Sequence, residues 1–451
     1  MMKENIKLIN HSSLYLNCNE NVRILSDPWY DGYAFDGGWS LLYHNNESSI
    51  INLLNNTDYI YISHEHPDHF SISFFIKYSK IIKEKNIKIL FQKTSDKRVE
   101  KFLIQKFNLE IIILENFKTV EINGQKITLI SCGSIDSSLI VETKNCYHVN
   151  LNDCDFIDKE LKRIKKFLKN SKKIIIYLQF SYATHRSNEE WLKEAAKFKL
   201  KNLVNVYKIF NADLIIPFAS FIYFSNTENF HLNKHMNNVE ITSKFLTENH
   251  INHCVLNPEL DEINIEKLIN NEEERIKIIK NSSDFWDNKF KNIKPKNEIN
   301  KLYEISKEIK NVFLKRIKDN NSILLLFLIR IISFKYFFGD FVFHLKDTNE
   351  TYKVNFFKIK KVENLQNTEI DIEMLSRRFY FLLKYPYGIE TIAVNGCFLE
   401  KNKNSFEKMI RSLGFVSLNQ TNNGITISSI FTKNIINKIF STFLRLKLKN
   451  S

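Results

Sequence analysis

A short apolar strand that runs directly into a cluster of histidines restricts this chain more than any other feature of its sequence. The segment 58–70 reads DYIYISHEHPDHF, so three imidazoles and two carboxylates crowd six consecutive residues after the strand. Imidazole and carboxylate groups are the ligands that suit zinc, iron and manganese. The end of a buried strand also holds such side chains rigidly. The segment therefore predicts a metal site at one edge of a β-sheet.

The order of the ligands divides them into two pairs. His64 and His66 are two residues apart in extended backbone, so their side chains point to the same side. Pro67 then begins a helix, and its first turn brings Asp68 and His69 back toward the strand end. We expect the first pair to hold one metal ion and the second pair another. Asp68 would ligate or orient a metal-bound water, which is activated near neutral pH.

The remaining pattern divides the 451 residues into three regions. Residues 1–260 alternate short strands rich in Ile, Val, Leu and Tyr with helical stretches, which predicts an α/β domain with sheet at its centre. Residues 261–320 are rich in Lys, Asn and Glu and predict a helical linker. Residues 321–451 predict a smaller α+β domain, with helices at 322–338 and 370–384, strands near 341–344, 392–394 and 425–427, and a terminal helix over 434–450.

Composition argues against several classes of protein. The net charge is +14, but the lysines are dispersed among Glu and Asn without an Arg-rich tract, so we expect no nucleic-acid partner. None of the six cysteines forms a C-x-x-C pair and the N-terminus lacks an apolar signal region, which predicts a reduced, cytoplasmic protein. The apolar run Ile323–Ile329 is too short to span a bilayer, which leaves at most peripheral contact with a membrane.

The order H-x-H-x-D-H after a strand resembles the signature of the metallo-β-lactamase superfamily. That resemblance implies an αββα sandwich with metal at one edge of the two sheets, and an aspartate beneath the metal, here Asp27. The stretch DPWYDGYAFDGGWSLL (27–42) is similar to the metallo-β-lactamase part of CMP-N-acetylneuraminate hydroxylases and related bacterial proteins. The resemblance covers roughly residues 1–240. Within this range, four shorter segments share the similarity: 136–139, 150–154, 179–183 and 217–221.

The ligand set of the superfamily is only partly present. An aspartate that bridges two metals is matched by Asp153, at the end of YHVNLND. Two histidine ligands of the dinuclear hydrolases are absent from their usual places, the stretches 129–134 and 216–220. His148 should point away from the site if its strand alternates strictly. Three other histidines could replace the absent ligands: His185, His231 and His235.

The resemblance implies a metal-dependent hydrolase that uses one or two divalent ions, with zinc as the first choice and iron or manganese as alternatives. The basic charge and the similarity to sialic-acid enzymes favour an anionic small-molecule substrate, such as a sugar nucleotide or a surface-polysaccharide precursor. Five side chains are candidate substrate contacts: Trp29, Tyr182, His185, Asn226 and His231.

Two other functions stay open. An iron-dependent oxygenase would follow from the hydroxylase resemblance, but the chain lacks the paired C-x-H and C-x-x-H motifs of a Rieske cluster, so it would need a separate redox partner. A non-catalytic metal- or ligand-binding module would follow from the two absent histidines. Residues 374–391 resemble a sterol-carrier-like α/β module, which implies a structural or substrate-shaping role for the C-terminal domain.

Overall fold

The computed structural model describes residues 4–19, 21–133, 135–169, 171–183, 189–296, 301–363, 369–418 and 424–426. These residues fall into two compact units. Unit 1 comprises the described residues up to 183 together with 189–296, and unit 2 comprises those from 301 onward.

Unit 1 is built from short strands and helices that alternate along the chain. Its strands are β1 (Asn5–Asn10), β2 (Ser13–Asn19), β3 (Val22–Ser26), β4 (Tyr33–Ala34), β5 (Trp39–Leu41), β6 (Tyr59–Ile62), β7 (Lys88–Gln92), β8 (Ile111–Leu114), β9 (Thr119–Ile122), β10 (Gln125–Cys132), β11 (Asp136–Glu142), β12 (Cys146–Asn152), β13 (Lys173–Gln179), β14 (Leu214–Phe218), β15 (Ile222–Phe224) and β16 (Ile263–Asn264). Its helices are α1 (Glu47–Asn55), α2 (Ile72–Glu84), α3 (Arg98–Phe107), α4 (Asp158–Phe167), α5 (Glu189–Phe210), α6 (Val239–Glu248), α7 (Ile265–Asn270) and α8 (Glu272–Phe290), with a 3₁₀ helix at Phe230–His235.

Two large sheets face each other in unit 1. The first has the order β16-β1-β2-β3-β6-β7-β8 and the second the order β14-β13-β12-β11-β10-β9. Apolar side chains from both sheets share one buried cluster, in which Ile24 and Tyr61 of the first sheet accompany Leu129 and Leu139 of the second. All four residues of β6 are buried, as expected for a strand with parallel neighbours and both faces covered.

Helices cover the outer face of each sheet. On the first sheet, α1, α2 and α3 contribute Leu54, Phe75 and Leu103 to a cluster with the strand residues. On the second sheet, α4, α5 and α6 contribute side chains to the largest cluster of the molecule, which include Leu161, Leu203 and Leu246. The layers therefore follow the order helix, sheet, sheet, helix, and the predicted αββα sandwich is confirmed.

Unit 2 is a smaller α+β unit with its own core. Its strands are β17 (Phe341–Leu345), β18 (Glu350–Val354), β19 (Ile359–Val362), β20 (Ile372–Met374) and β21 (Leu399–Glu400), in the sheet order β19-β18-β17-β20-β21. Its helices are α9 (Lys307–Asn320), α10 (Ile323–Ile332), α11 (Ser376–Lys384), α12 (Gly388–Asn395), α13 (Ser405–Leu413) and α14 (Phe415–Leu418).

The stretch expected to be a linker is divided between the two units. Helix α8 places Phe285 and Trp286 in the largest core of unit 1. Helix α9 places Phe313 and Ile317 in the core of unit 2. Both helices carry a buried apolar stripe between charged residues, and the high Lys and Glu content of 261–320 hides that stripe at the level of composition.

One local prediction in unit 2 is wrong, and a second has the wrong N-terminal bound. The expected strand near 392–394 lies inside α12, where Ile389, Ile392 and Ala393 recur at helical spacing on the buried side, and Gly396 ends the helix with φ of 75°. The expected helix over 370–384 begins only at Ser376, after β20. The terminal helix expected over 434–450 lies outside the described residues, as does Ile427 of the last expected strand.

Among the helices that the structure describes, none has the length and apolar content needed to cross a bilayer.

Candidate metal centre

The predicted ligands converge at one edge of the sandwich. Strands β1, β3 and β6 point the same way, because β2 lies antiparallel between β1 and β3, and β3 is parallel to β6. Their C-terminal ends carry His11, Asp27 and the histidine-rich loop that follows Ile62. In the second sheet, β12 ends beside Asp153, and its antiparallel neighbour β11 begins at Asp136. The fold therefore delivers donors from both sheets to the same place.

The first ligand group consists of His64, His66 and Asp153. Nε2 of His64 lies 2.8 Å from Nδ1 of His66 and 3.8 Å from Oδ2 of Asp153. Oδ1 of Asp136 also lies 3.8 Å from Nε2 of His64, so a second carboxylate faces the same position. Two imidazoles with one or two carboxylates form a ligand set that suits zinc or non-haem iron.

The second ligand group consists of His11, Asp68 and His69, all of them buried. Oδ2 of Asp68 lies 3.3 Å from Nε2 of His11 and 3.2 Å from Nε2 of His69. Two ligands that are each about 2.0–2.1 Å from one tetrahedral ion lie about 3.3–3.4 Å apart, so this spacing fits a shared cation. Oδ2 of Asp153 is 3.6 Å from Nε2 of His69, which places this carboxylate between the two groups.

Unpaired oxygen atoms at this edge fit the presence of cations. Oδ1 of Asp68, Oδ1 of Asp136 and Oδ1 of Asp153 are each buried, and none has a hydrogen-bond partner within the described chain. A buried polar atom left without a hydrogen bond costs about 1–3 kcal/mol, which a coordinated metal ion would offset. Carboxylate oxygens and neutral imidazole nitrogens are the donors that such an ion requires.

Asp27 holds the ligands from beneath. Its carboxylate is fully buried and accepts hydrogen bonds from the backbone N–H and hydroxyl of Ser63, at 2.7 Å and 2.8 Å. Nδ1 of His69 donates to the same carboxylate at 3.1 Å, and the side-chain amide of Asn152 donates to it as well. The bond to Nδ1 leaves Nε2 of His69 directed at the ligand cluster. Asp27 thus fixes the orientation of His69, a candidate ligand, through the ring nitrogen that points away from the cluster.

Burial favours the neutral form of three of the four histidines at this edge, whereas the neighbouring carboxylates favour the protonated form of His69. Burial lowers the pKa of His11, of His64 and of His66, which favours their neutral form. Burial opposes protonation of His69 as well, but the surrounding aspartates, Asp68 first, raise its pKa well above the usual value. Burial and the neighbouring Asp153 carboxylate raise the pKa of Asp136 to about 7. This acidic surrounding creates a negative potential that attracts a cation.

The residues expected to contact substrate lie in less accessible positions. Trp29 is buried, and its Nε1 donates to the carbonyl of Asp31. Tyr182 is buried too, and its hydroxyl donates to the carbonyl of Leu232. Asn226 is buried and donates to the carbonyl of Gly37 at 2.6 Å. In this conformation none of these three side chains is open to a ligand.

The remaining histidines that the structure describes join neither of these two ligand groups. His231 is exposed on the 3₁₀ helix, and His235 pairs with Glu189 at 3.0 Å. His185 lies outside the described residues. His148 is buried away from the site, as expected, where Nε2 faces Glu4 at 3.0 Å and Nδ1 faces the hydroxyl of Tyr177 at 2.8 Å.

Two donors at the site were missed by the sequence analysis. His11 lies in the turn between β1 and β2, and the edges of the Trp29 and Trp39 rings pack against it. Asp136 begins β11, where it pairs across the hairpin with Cys132 at the end of β10. The stretch 129–134 lacks the expected histidine, but the strand paired with it places the carboxylate of Asp136 at the site. An isolated His in a turn carries no spacing signal that marks it as a ligand.

Comparison with known proteins finds sequence similarity to hydroxylases. The chain is 31% identical over 152 residues to a cytidine monophosphate-N-acetylneuraminic acid hydroxylase from Danio rerio, and 26% identical over 212 residues to one from Xenopus laevis. These matches cover 32% and 45% of this chain, but only 25% and 35% of the two relatives. No protein-family model matches the chain.

Solved structures with a similar backbone come from several enzyme classes. One is described as a possible metal-dependent hydrolase from Veillonella parvula, with a TM-score of 0.45, 17% identity, and coverage of 59% of this chain and 100% of that one. Another is a diiron β-hydroxylase from Streptomyces venezuelae, with a TM-score of 0.42, 7% identity, and coverage of 59% and 55%. A third is a metallo-β-lactamase fold protein from Bacillus subtilis, with a TM-score of 0.33, 11% identity, and coverage of 48% and 86%.

Proposed function

Because unit 1 has the metallo-β-lactamase fold and gathers metal-ligand groups at one edge, we propose that the chain is a metal-dependent hydrolase with a two-metal centre. One observation carries this proposal. Two groups, each with two histidines and one aspartate, lie side by side, and the Asp153 carboxylate of the first group lies 3.6 Å from His69 of the second. Divalent ions held in this way supply a water molecule that is ionised near neutral pH.

Each side chain has a distinct role in this proposal. One position would be held by His64 and His66 with Asp136 opposite, and the other by His11, Asp68 and His69. Asp153 would contact both. Oδ2 of Asp68 faces two imidazoles, while its buried Oδ1 has no partner within the described residues. That second oxygen is free to bind a metal or to orient the attacking water.

The proposed substrate class is an anionic small molecule, such as a sugar nucleotide or a surface-polysaccharide precursor. Both hydroxylases that the chain resembles in sequence are named for a sugar nucleotide of this kind. The excess of positive charge on the chain favours association with anions. The six cysteines form no disulfide, which supports a reducing compartment, and the cytoplasm is our proposed location.

The second candidate function is an iron-dependent oxygenase. Each ligand group has the two-histidine, one-carboxylate composition that is common among non-haem iron oxygenases. The curated relatives are named hydroxylases. The cysteines of this chain do not form the paired motifs of a Rieske cluster, so an oxygenase would take its electrons from a separate redox partner.

Isotope labelling separates the two candidates. The full chain is purified without chelator, its metals are measured, and it is incubated with sugar nucleotides in labelled water or under labelled oxygen gas. A hydrolase should turn over without oxygen and incorporate the label from water. Incorporation from oxygen gas, dependent on a reductant, would instead establish the oxygenase. Failure to bind zinc, iron or manganese after reconstitution would exclude both and leave the non-catalytic binding module.

Replacing His11 with Ala should remove one of the two metal positions. Because His11 provides a buried nitrogen to the second group alone, metal content should fall from about two ions per chain to about one. Titration of the metal-free protein with cobalt, followed by its absorption spectrum, measures this directly. His44→Ala is the control, since His44 is an exposed histidine of the same unit. Equal cobalt content in the two variants would show that His11 is not a ligand.

A further inference from the structure

Helix α10 of unit 2 is apolar on every side. It reads ILLLFLIRII over Ile323–Ile332, and Arg330 is its single charged residue. A helix of this composition normally has all of its surface covered, either by protein or by lipid. The burial of its side chains shows which part of this surface unit 2 covers.

Only one face of α10 packs against the core of unit 2. Leu326 is fully buried there, and Ile323, Leu325 and Ile329 are partly buried against the same cluster. Arg330 turns back toward the unit, where it donates to Asp340 at 3.1 Å and to the carbonyl of Phe338. The one charge of the helix is therefore neutralised, and it leaves the other face wholly apolar.

The opposite face of α10 presents large apolar side chains to solvent. Leu328 is 45% exposed and Ile332 is 75% exposed, and Phe334 just beyond the helix is 94% exposed. Leu324, Phe327, Ile331 and Tyr336 extend the same surface. A contiguous patch of this kind marks an interaction surface, whereas isolated exposed apolar residues are ordinary.

Positive charge borders this patch. A groove beside α10 is lined by Phe327, Ile331, Phe334 and Phe357, and also by lysines at 335, 353, 358 and 360. Lys353 pairs with Asp340, whereas Lys335, Lys358 and Lys360 are exposed. An apolar centre with a lysine border complements a surface that is apolar inside and negatively charged outside.

We infer that α10 and the following loop dock unit 2 onto the surface of an anionic lipid bilayer. The apolar side chains would enter the boundary between headgroups and acyl chains, and the lysines would face lipid phosphates. At 10 residues the helix is about 15 Å long, so it lies in the interface and does not cross a hydrocarbon layer of about 30 Å. This inference does not depend on the proposed function of unit 1.

The charge of residues 427–451 favours lipid, and not this segment of the chain, as the partner of the apolar face of α10. Residues 427–451 include five Lys or Arg and no Asp or Glu. A basic segment placed beside the lysine border would be repelled by it, whereas anionic lipid would be attracted.

Vesicle binding by the full chain tests this inference. Phosphatidylcholine vesicles with and without phosphatidylglycerol are sedimented with the protein, and bound protein is measured. We expect binding to the anionic vesicles, weakened by salt, and much less binding to the neutral ones. The affinity of the double variant Leu328→Ser, Ile332→Ser for anionic vesicles should fall at least about tenfold, because two inserted apolar side chains are lost.

Matched variants separate the patch from general effects. Ile72→Ser with Ile76→Ser removes an equally spaced pair of exposed isoleucines from α2 of unit 1, and it should leave binding unchanged. Lys358→Gln with Lys360→Gln should weaken binding and its salt dependence, whereas Lys197→Gln with Lys201→Gln on α5 should not. Circular dichroism confirms that each variant is folded.

Three outcomes would overturn the inference. They are equal binding to neutral and anionic vesicles, no binding to either, and equal binding by the α10 and α2 double variants. If the intact protein instead forms a dimer that the α10 variant dissociates, the patch is a contact between two copies of the chain and the membrane assignment is wrong.

Discussion

Replacing Asp153 with Ala is expected to empty both metal positions and to abolish turnover. Its Oδ2 lies 3.8 Å from Nε2 of His64 and 3.6 Å from Nε2 of His69, so a single carboxylate faces both ligand groups. Loss of a residue that merely orients a ligand lowers metal affinity by about 10–100-fold, and loss of a shared ligand should exceed this. Metal per chain, measured by elemental analysis after dialysis, should fall about tenfold or more.

The control for this experiment is Asp261→Ala. Asp261 is a fully exposed carboxylate of the same unit, and its nearest cation is Lys7 at 3.9 Å. This variant should retain the metal content of the unaltered chain. His11→Ala gives a further comparison, because that variant should lose about half of the metal. A metal content in Asp153→Ala equal to that in His11→Ala would show that Asp153 serves only one of the two groups.

Replacing Asp27 with Ala is expected to lower the free energy of unfolding of unit 1 by about 3–5 kcal/mol, even without metal. The substitution leaves the N–H and hydroxyl of Ser63, the amide of Asn152 and Nδ1 of His69 without their buried acceptor. Urea unfolding in the presence of chelator measures the effect without a contribution from bound ions. Tryptophan fluorescence reports on unit 1 alone, because all four tryptophans of the chain belong to it.

The conservative variant separates charge from shape at this position. The backbone of Asp27 has φ of 37°, in the region that Asn tolerates better than Ala, so Asp27→Asn should recover part of the lost stability. Metal affinity should still fall about 10–100-fold in Asp27→Asn, because the neutral amide supports His69 less strongly. A change in unfolding free energy below about 0.5 kcal/mol for Asp27→Ala, typical of a surface site, would contradict the proposed network.

The histidine-rich loop could be recognised from the sequence because its information is local. Strand β6 is four buried residues long, and the ligand pattern begins two residues after it, at His64. Spacing alone assigns His64 and His66 to one side of the chain and Asp68 and His69 to the next turn. The pairing of Asp27 and Asp153 with this loop came from a resemblance, and the structure brings both residues to the same edge of the sandwich, one from each sheet.

The accessibility of the aromatic side chains could not be inferred from their position in loops. Trp29 and Tyr182 lie in predicted loops between strands, where a large aromatic side chain has little structural purpose, and this made them candidates for substrate contact. Trp29 instead packs its ring edge-on against His11, at 5.8 Å between ring centres, and Tyr182 stacks with Phe224. Burial of a loop residue depends on what packs over it, and that neighbour is usually distant in sequence.

The sequence by itself indicated a candidate metal site in one loop, because ligand type and spacing within that loop are properties of adjacent residues. Only the tertiary structure decided which donors complete the site. His11 reaches Asp68 across 57 residues, and Asp136 reaches His64 across the gap between two sheets. Both arrive through strand direction and register, and these depend on how the whole sandwich packs. A single histidine or aspartate far along the chain carries no mark of the partner that folding will bring to it.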